Sequence, residues 1–493
     1  VAGARSVTAF VRPRTPGSER NGREADEPGE EAALTRQGEI VSGAPYQDPC
    51  DPEGIDPEVI GKTREYTIVA LPTEVVYNDA GDHDPEGKVY VLEDDAEAVR
   101  NGEMNPEPLV IRANVGDCIE INLTNALGDL HDDHAHPTFD IQPDADWDRS
   151  KRISLSPQNL LFDDQGSAGM AVGFNFDSTV APGETKTYRW FADPAPVNGA
   201  ENDNGPLARS LGTGILSDFA DVRSNRHHGA FGNLIVEPEG SEWLDPETGE
   251  PVRNGTRAMI TGHDGEDYRE FALLFTEGMY IVNDDGSCPI PRVGLEEEAD
   301  GDGDEPCNRI GEQENQGFQG INYRSEPFAR RFANDERQYK VYSSEVHGDP
   351  NTPVLETYTD DPVTLRVSQP ADRANGISFH CAGHYWRRNN VPEARLVGMQ
   401  ADLSTGAARE FVLEGGANGT GDYVYQERKT KYYLEGGLWG IMRVREALEK
   451  FDGRVRPLPD REAEFDRTRG ETGGKNGKDG KTERIDLIEP LDG

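Results

Sequence analysis

PLVIRANVGDCIEINLTNA, residues 108–126, is the stretch on which the reading of the fold turns. Two apolar runs rich in Val, Ile and Leu flank a short polar turn. Runs of the same kind lie on both sides of it: EYTIVALPTEVVYN (65–78), KVYVLEDD (88–95), GETKTYRWFA (183–192) and GNLIVEPEG (232–240). Gly, Asp, Asn and Pro separate them, which is the pattern of a β-sandwich or barrel. Beyond a polar stretch near 240–265 a second series begins: REFALLFTEGMYIV (269–282), DDPVTLRVSQ (360–369), REFVLEG (409–415) and TKYYLEGGLWGIMRV (430–444). Only RVREALEKF, from Arg443 to Phe451, reads as a helix.

The two series rhyme. PLVIRANVGDCIEINLTNA matches PVTLRVSQPADRANGISFH (362–380), each an apolar strand, a polar turn and another strand. GNLIVEP near 232 likewise matches GLWGIMRV near 438. A repeat of this size predicts one fold used twice. The expected organisation is a flexible arm or linker over 1–62, a first β domain over 63–262 and a second over 263–448. A long acidic insertion occupies about 284–350, and a charged, Gly-rich tail or linker spans 449–493.

The 493 residues carry 93 Asp+Glu against 50 Lys+Arg, a formal net charge of -43. A field that negative repels nucleic acid and anionic membrane surfaces, which excludes both as partners. It also destabilises the compact state by self-repulsion, a cost that concentrated salt removes by shortening the Debye length to about 3 Å at 1 M. A halophilic source fits. No apolar stretch approaches the roughly 20 residues of a spanning helix. Five cysteines suit two disulfides and one free thiol: Cys288 with Cys307 across a hydrophilic loop, and Cys50 with Cys118, leaving Cys381. Disulfides and the sequons at Asn122, Asn254 and Asn418 agree with an extracellular or cell-surface location, with an export signal encoded upstream.

The ten histidines are informative because seven fall in three places. They are His131, His134 and His136, then His227 and His228, then His380 and His384. A His-x-His on a strand turns both imidazoles to one face, where they can grip a single Cu, Zn, Ni or Fe ion. His227 and His228 are expected in a surface turn before GAFGNLIVEP. Cys381, next to His380, is expected to be a buried inert thiol, since strand neighbours point to opposite faces. Asp300, Asp302 and Asp304 resemble the start of a calcium loop. Glu305 stands where its glycine belongs and Gly311 where its last glutamate belongs, so a solvated acidic loop is the better reading.

Over about 63–448 the chain resembles the cupredoxin domains of multicopper oxidases, especially the large manganese-oxidising type. VVYNDAGDHDPEGKVYVLED, PLVIRANVGDCIEINLTN, FNFDSTVAPGETKTYRWFAD, RHHGAFGNLIVEPEGSEW and GDYVYQERKTKYYLEGGLWGIMRV carry the resemblance together. It implies two cupredoxin-like Greek-key β-barrel or sandwich domains, all-β, with long acidic loops and irregular tails. It also implies copper, and oxidation of metal ions or phenols coupled to reduction of O₂. Four motifs supply the copper ligands in that family. The first, His-x-His, is met by His134-Ala135-His136. In the second, Ser217 and Phe219 replace two histidines. In the third, Ile377 and Ala382 replace the outer histidines, while His380 remains in the middle and His384 lies just beyond. The fourth, His-Cys-His, falls on Gln426-Glu427-Arg428, where no ligand survives.

A blue copper needs a thiolate and two imidazoles, so amide, carboxylate and guanidinium cannot hold it. Four-electron reduction of O₂ by this chain alone is not expected. What the resemblance leaves is a single mononuclear copper between the domains, on His134 and His380 with His136 or His384. The rival is a metal-free set of histidines bonded to Asp132, Asp133 or backbone. Three functions follow: a member of the oxidoreductase family whose active coppers lie in further cupredoxin domains of the same precursor or in a partner chain; a non-enzymatic extracellular structural or binding module, including a homo-oligomer; and a copper-binding protein.

Overall fold

The computed structural model describes residues 48–51, 61–128, 150–194, 210–221, 224–282, 318–332, 337–371, 376–428, 434–446 and 455–462. Their architecture is the expected all-β one, with several sheets and a few short helical turns. In the first half, Thr63–Val76 runs parallel to Cys118–Asn125, which pairs antiparallel with Thr185–Phe191. Leu109–Asn114 runs parallel to Phe231–Glu237, which pairs antiparallel with Gly212–Ser217. In the second half, Tyr268–Met279 runs parallel to Val363–Ala371, itself antiparallel to Ala408–Val412. Val354–Tyr358 runs parallel to Trp439–Arg445, itself antiparallel to Gly421–Glu427. Each of these four pairings of the first half therefore has a counterpart in the second.

That correspondence corrects the register of the repeat. The strands equivalent to Leu109–Asn114 and Cys118–Asn125 are Val354–Tyr358 and Val363–Ala371, so PLVIRANVGDCIEINLTNA matches the chain one strand earlier than 362–380. Neighbouring strands of a sandwich share composition and turn chemistry, and apolar pattern alone does not tell one from the next. The match of GNLIVEP with GLWGIMRV holds, since Phe231–Glu237 and Trp439–Arg445 occupy the same place.

The helix expected over Arg443–Phe451 is corrected at its start, while 447–451 lie outside the described residues. Trp439–Arg445 is a strand between Gly421–Glu427 and Val354–Tyr358. Trp439, Ile441 and Met442 are buried there, and that burial overrides a helical propensity worth only tenths of a kcal/mol per residue.

Each half has its own core: Ile68, Ile111, Ile121, Leu155 and Trp190 in the first, and Phe271, Leu365, Phe379, Trp386 and Tyr425 in the second. A third apolar cluster joins Leu71, Val110 and Ile235 to Ala272, Leu274 and Ala371, so it closes the halves on one another. The Cys50–Cys118 disulfide forms as expected, and Asp48 pairs with Arg189, which ties residues 48–51 of the amino-terminal segment to the first half. Residues 455–462 pack on the second half, with Leu458 buried and Arg461 bonded to Asp361 at 2.5 Å. The Cys288–Cys307 pair and the acidic run 300–305 lie outside the described residues. Among the described residues no helix is long and apolar enough to cross a membrane.

Candidate functional site

His380 sits on Ile377–Cys381, paired on one side with Gln426 and on the other with Met399. Alternation along the strand sends Phe379 and Cys381 into the core and His380 to the opposite face. Its Nδ1 lies 3.5 Å from Gln426 Nε2. Burial and the Arg428 guanidinium both lower its pKa, so the ring is neutral at pH 7. Neutral imidazole is the metal-binding form, but the same Arg428 charge opposes a cation arriving there.

His384 is committed to the protein at both ring nitrogens. Nδ1 donates to the Ala382 carbonyl at 2.8 Å, and Nε2 accepts from the Asn418 backbone N–H at 3.0 Å. The Tyr423 ring packs edge-on at 4.7 Å. Burial lowers the His384 pKa, which favours the neutral ring, and the two bonds select its tautomer. His384 would have to give up one of them to bind a metal. Cys381 is fully buried and its thiol is pushed up to about 12 by desolvation, the inert thiol expected.

The positions where the family resemblance seeks lost ligands are packed as structure. Ser217 ends its strand by bridging to Ser156, and Phe219 is exposed. Between them Asp218 is buried and caps its surroundings, accepting from Ser154 N at 2.7 Å, Ser154 Oγ at 3.0 Å and Asn225 Nδ2 at 2.8 Å. Desolvation outweighs those bonds and raises its pKa to about 6. Ile377 is buried against Leu403, and Ala382 turns the chain toward His384. Gln426 accepts from Tyr342 Oη at 3.3 Å, and buried Glu427 accepts from the Ser378 N–H. Tyr342 in turn packs edge-on against Trp439 at 4.9 Å, under the Arg331 guanidinium.

His227 and His228 are not on the surface, as expected from the sequence, but buried in the turn Asn225–His228. His228 Nδ1 meets Asp84 Oδ2 at 2.7 Å, both side chains fully enclosed. The vicinity of the sheet, not the polarity of RHHG, decided their burial. His134 and His136 lie outside the described residues, and among those described no group of three or more His, Cys, Asp or Glu could hold a metal ion. The described residues at the blue-copper positions do not fit that copper.

What sequence reading missed is a buried ionic network between the halves. Arg112 and Glu237 come from the first half; Glu270, Arg366 and Glu410 come from the second. Arg366 reaches Glu270 through Nε at 2.7 Å and Glu410 through Nη1 at 2.5 Å, and pairs with Glu237 through Nη2. Arg112 closes on the other oxygen of Glu270. Glu410 also accepts from the Thr213 backbone N–H at 2.8 Å, and Tyr268 Oη donates to Glu237 at 2.5 Å. Burial raises Glu237 to about 8, whereas for Glu270 the two arginines overcome burial and hold it at about 2. With Glu237 protonated, two cations face two anions. The signal was present in part: Arg112 and Arg366 interrupt the apolar runs LVIRA and VTLRV, and charges so placed must be paired.

No family model matches the chain, and no curated protein matches it. Solved structures do. A multicopper oxidase is similar at 16% identity, covering 78% of this chain and 89% of that one, with a TM-score of 0.40. Copper nitrite reductase from Nitrosomonas europaea is similar at 16% identity over 80% of this chain and 98% of its own, TM-score 0.43. The multicopper oxidase mgLAC is similar at 13% identity over 81% and 89%, TM-score 0.42.

Proposed function

We propose that this chain is a secreted, salt-adapted relative of the multicopper oxidases that does not itself perform their oxidase reaction, and that it serves as a non-enzymatic structural or binding module outside the cell. One observation carries this reading. At the strand where a blue copper would be held, Gln426 and Glu427 are engaged with Tyr342 and Ser378, and Arg428 brings positive charge to His380. Coulomb repulsion and the missing thiolate both work against copper there. The net charge of -43 supports salt adaptation, and the Cys50–Cys118 disulfide supports an oxidising compartment.

Metal analysis of the purified protein, paired with O₂ consumption on Mn(II) and on a phenol, tests it. The expected result is no blue absorption and no turnover. A thiolate-to-copper band or steady O₂ uptake would overturn it.

A second reading is a single mononuclear copper on His380 with His134 and His136. It is favoured by His380 alone: the ring is neutral, and its Nε2 has no hydrogen-bond partner among the described residues. A type-2 EPR signal on adding one equivalent of Cu(II), lost in H380A, would select it. Further cupredoxin domains of one precursor remain the natural partners under either reading.

A further inference from the structure

The segment 385–399 departs from the rest of the surface in two ways at once. It is apolar where exposed: Tyr385, Val391, Leu396 and Met399 are all exposed, and neighbouring Val412 adds a fifth exposed side chain. These are adjacent in space. Trp386–Arg387 pairs with Leu396–Val397, Gly398 lies against the Tyr385 ring, and the Tyr385 carbonyl accepts from Glu414 N at 2.8 Å beside the end of Ala408–Val412. The segment is also basic. It holds Arg387, Arg388 and Arg395 against one acid, Glu393, in a chain whose net charge is -43. Of these, Arg388 and Arg395 are exposed, as is Arg409 on the adjoining strand.

The platform is rigid, so the patch is not a collapsed loop. Trp386 is fully buried beneath it, packed on Phe411 at 4.8 Å and Phe379 at 5.9 Å. Asn390 Nδ2 donates to the Glu410 carbonyl at 3.0 Å, and Gln400 Nε2 to Asn389 Oδ1 at 2.8 Å. Met399–Leu403 is, in addition, the terminal strand of its sheet. An exposed apolar patch on a sheet edge is a binding or aggregation surface unless something covers it.

We propose that this basic, apolar patch docks on the acidic surface of a second copy of the chain. Charge complementarity selects that occupant. Two patches facing each other across a twofold would oppose arginine to arginine, whereas the remainder of the molecule carries the whole excess of acid. The contact is therefore heterologous, patch to acidic face, and it builds rings or open strings of subunits instead of closed twofold dimers. Salt weakens the ionic part and strengthens the apolar part, so the contact persists where the monomer is most stable.

Sedimentation equilibrium of the full chain over a range of concentrations is the test. The wild type is expected to self-associate beyond the dimer. L396S/M399D should weaken association at least about tenfold, equivalent to about 1.4 kcal/mol, and R388E/R395E should weaken it comparably at low salt and less at high salt. L161S/F174S, which removes exposed apolar side chains elsewhere, should leave it unchanged. Melting temperature and circular dichroism confirm that each variant is folded. A monomer at every concentration overturns the proposal. So does equal weakening in L161S/F174S, which would mean unspecific adhesion, or a closed dimer indifferent to R388E/R395E, which would mean edge-to-edge strand pairing.

Discussion

Arg269 donates from Nε to Asp361 Oδ2 at 2.6 Å, deep inside the second half. Half a chain earlier Arg64 donates from Nε to Asp117 Oδ2 at 2.7 Å. Both aspartates also accept a backbone N–H three residues back, from Tyr358 at 3.1 Å and from Asn114 at 2.9 Å. The same clasp thus pins the same turn to the start of the same parallel strand in each half. Apolar runs flank the Asp117 turn, yet its carboxylate is what repeats most faithfully.

The two clasps differ in burial, and so should their loss. Asp361 also takes Arg461, and its pair with Arg269 is enclosed, whereas Arg64 is partly exposed. D361A should cost about 3–5 kcal/mol by stranding buried Arg269, and D117A about half of that. Urea unfolding of both variants checks the order; equal costs would refute it.

The interface network makes stability depend on pH in two windows. Unfolded glutamate titrates at 4.5, whereas folded Glu237 holds its proton to about 8, so its contribution weakens stability as pH rises between those values. Glu270, held at about 2, contributes stability above 4.5 that is lost as pH falls through that range. E237Q should remove the alkaline decline and change stability by about 1 kcal/mol or less at pH 5, while E270Q should cost about 3–5 kcal/mol at pH 7. Guanidinium unfolding against pH for the three proteins reads both windows.

Reduction of Cys50–Cys118 opens a cross-link between residues 68 apart in sequence. The loop-entropy relation puts its loss at about 4 kcal/mol. C50S/C118S should melt lower by that equivalent. Cys381 should stay unreactive toward a thiol reagent at pH 8 in the native protein and react once the chain is unfolded.

Salt should stabilise the whole molecule. A net charge of -43 repels itself across a Debye length of about 10 Å at 0.1 M, shrinking to about 3 Å at 1 M. Melting temperature should therefore climb steadily from dilute to molar KCl. A flat profile would remove the case for salt adaptation.

Chelation separates the two functional readings. A protein without copper keeps its melting temperature in excess EDTA. One that holds copper on His380 loses the linkage stabilisation, about 2.7 kcal/mol when free metal stands at a hundred times its Kd.

Much of the fold was legible because strands announce themselves: EYTIVALP, GETKTYRWF and REFALLF all became strands where their composition placed them. The pairing of Cys50 with Cys118 was legible too. Arg443 misled because RVREALEKF has helical composition, while a central strand between two others is settled by partners distant in sequence. RHHG misled because polarity predicts exposure only when no buried carboxylate waits, and Asp84, 144 residues away, does.

By itself the amino-acid sequence determined the all-β class, the use of one fold twice, the acidic charge and the absence of a thiolate at Gln426-Glu427-Arg428, because each is a local or additive property of residues. Only the tertiary structure decided the register of the repeat, the burial of His227 and His228, the commitment of both His384 nitrogens and the meeting of Arg112, Glu237, Glu270 and Arg366. Those depend on which side chains are brought together and shut from water, where a charge or ring nitrogen must find its partner or cost several kcal/mol.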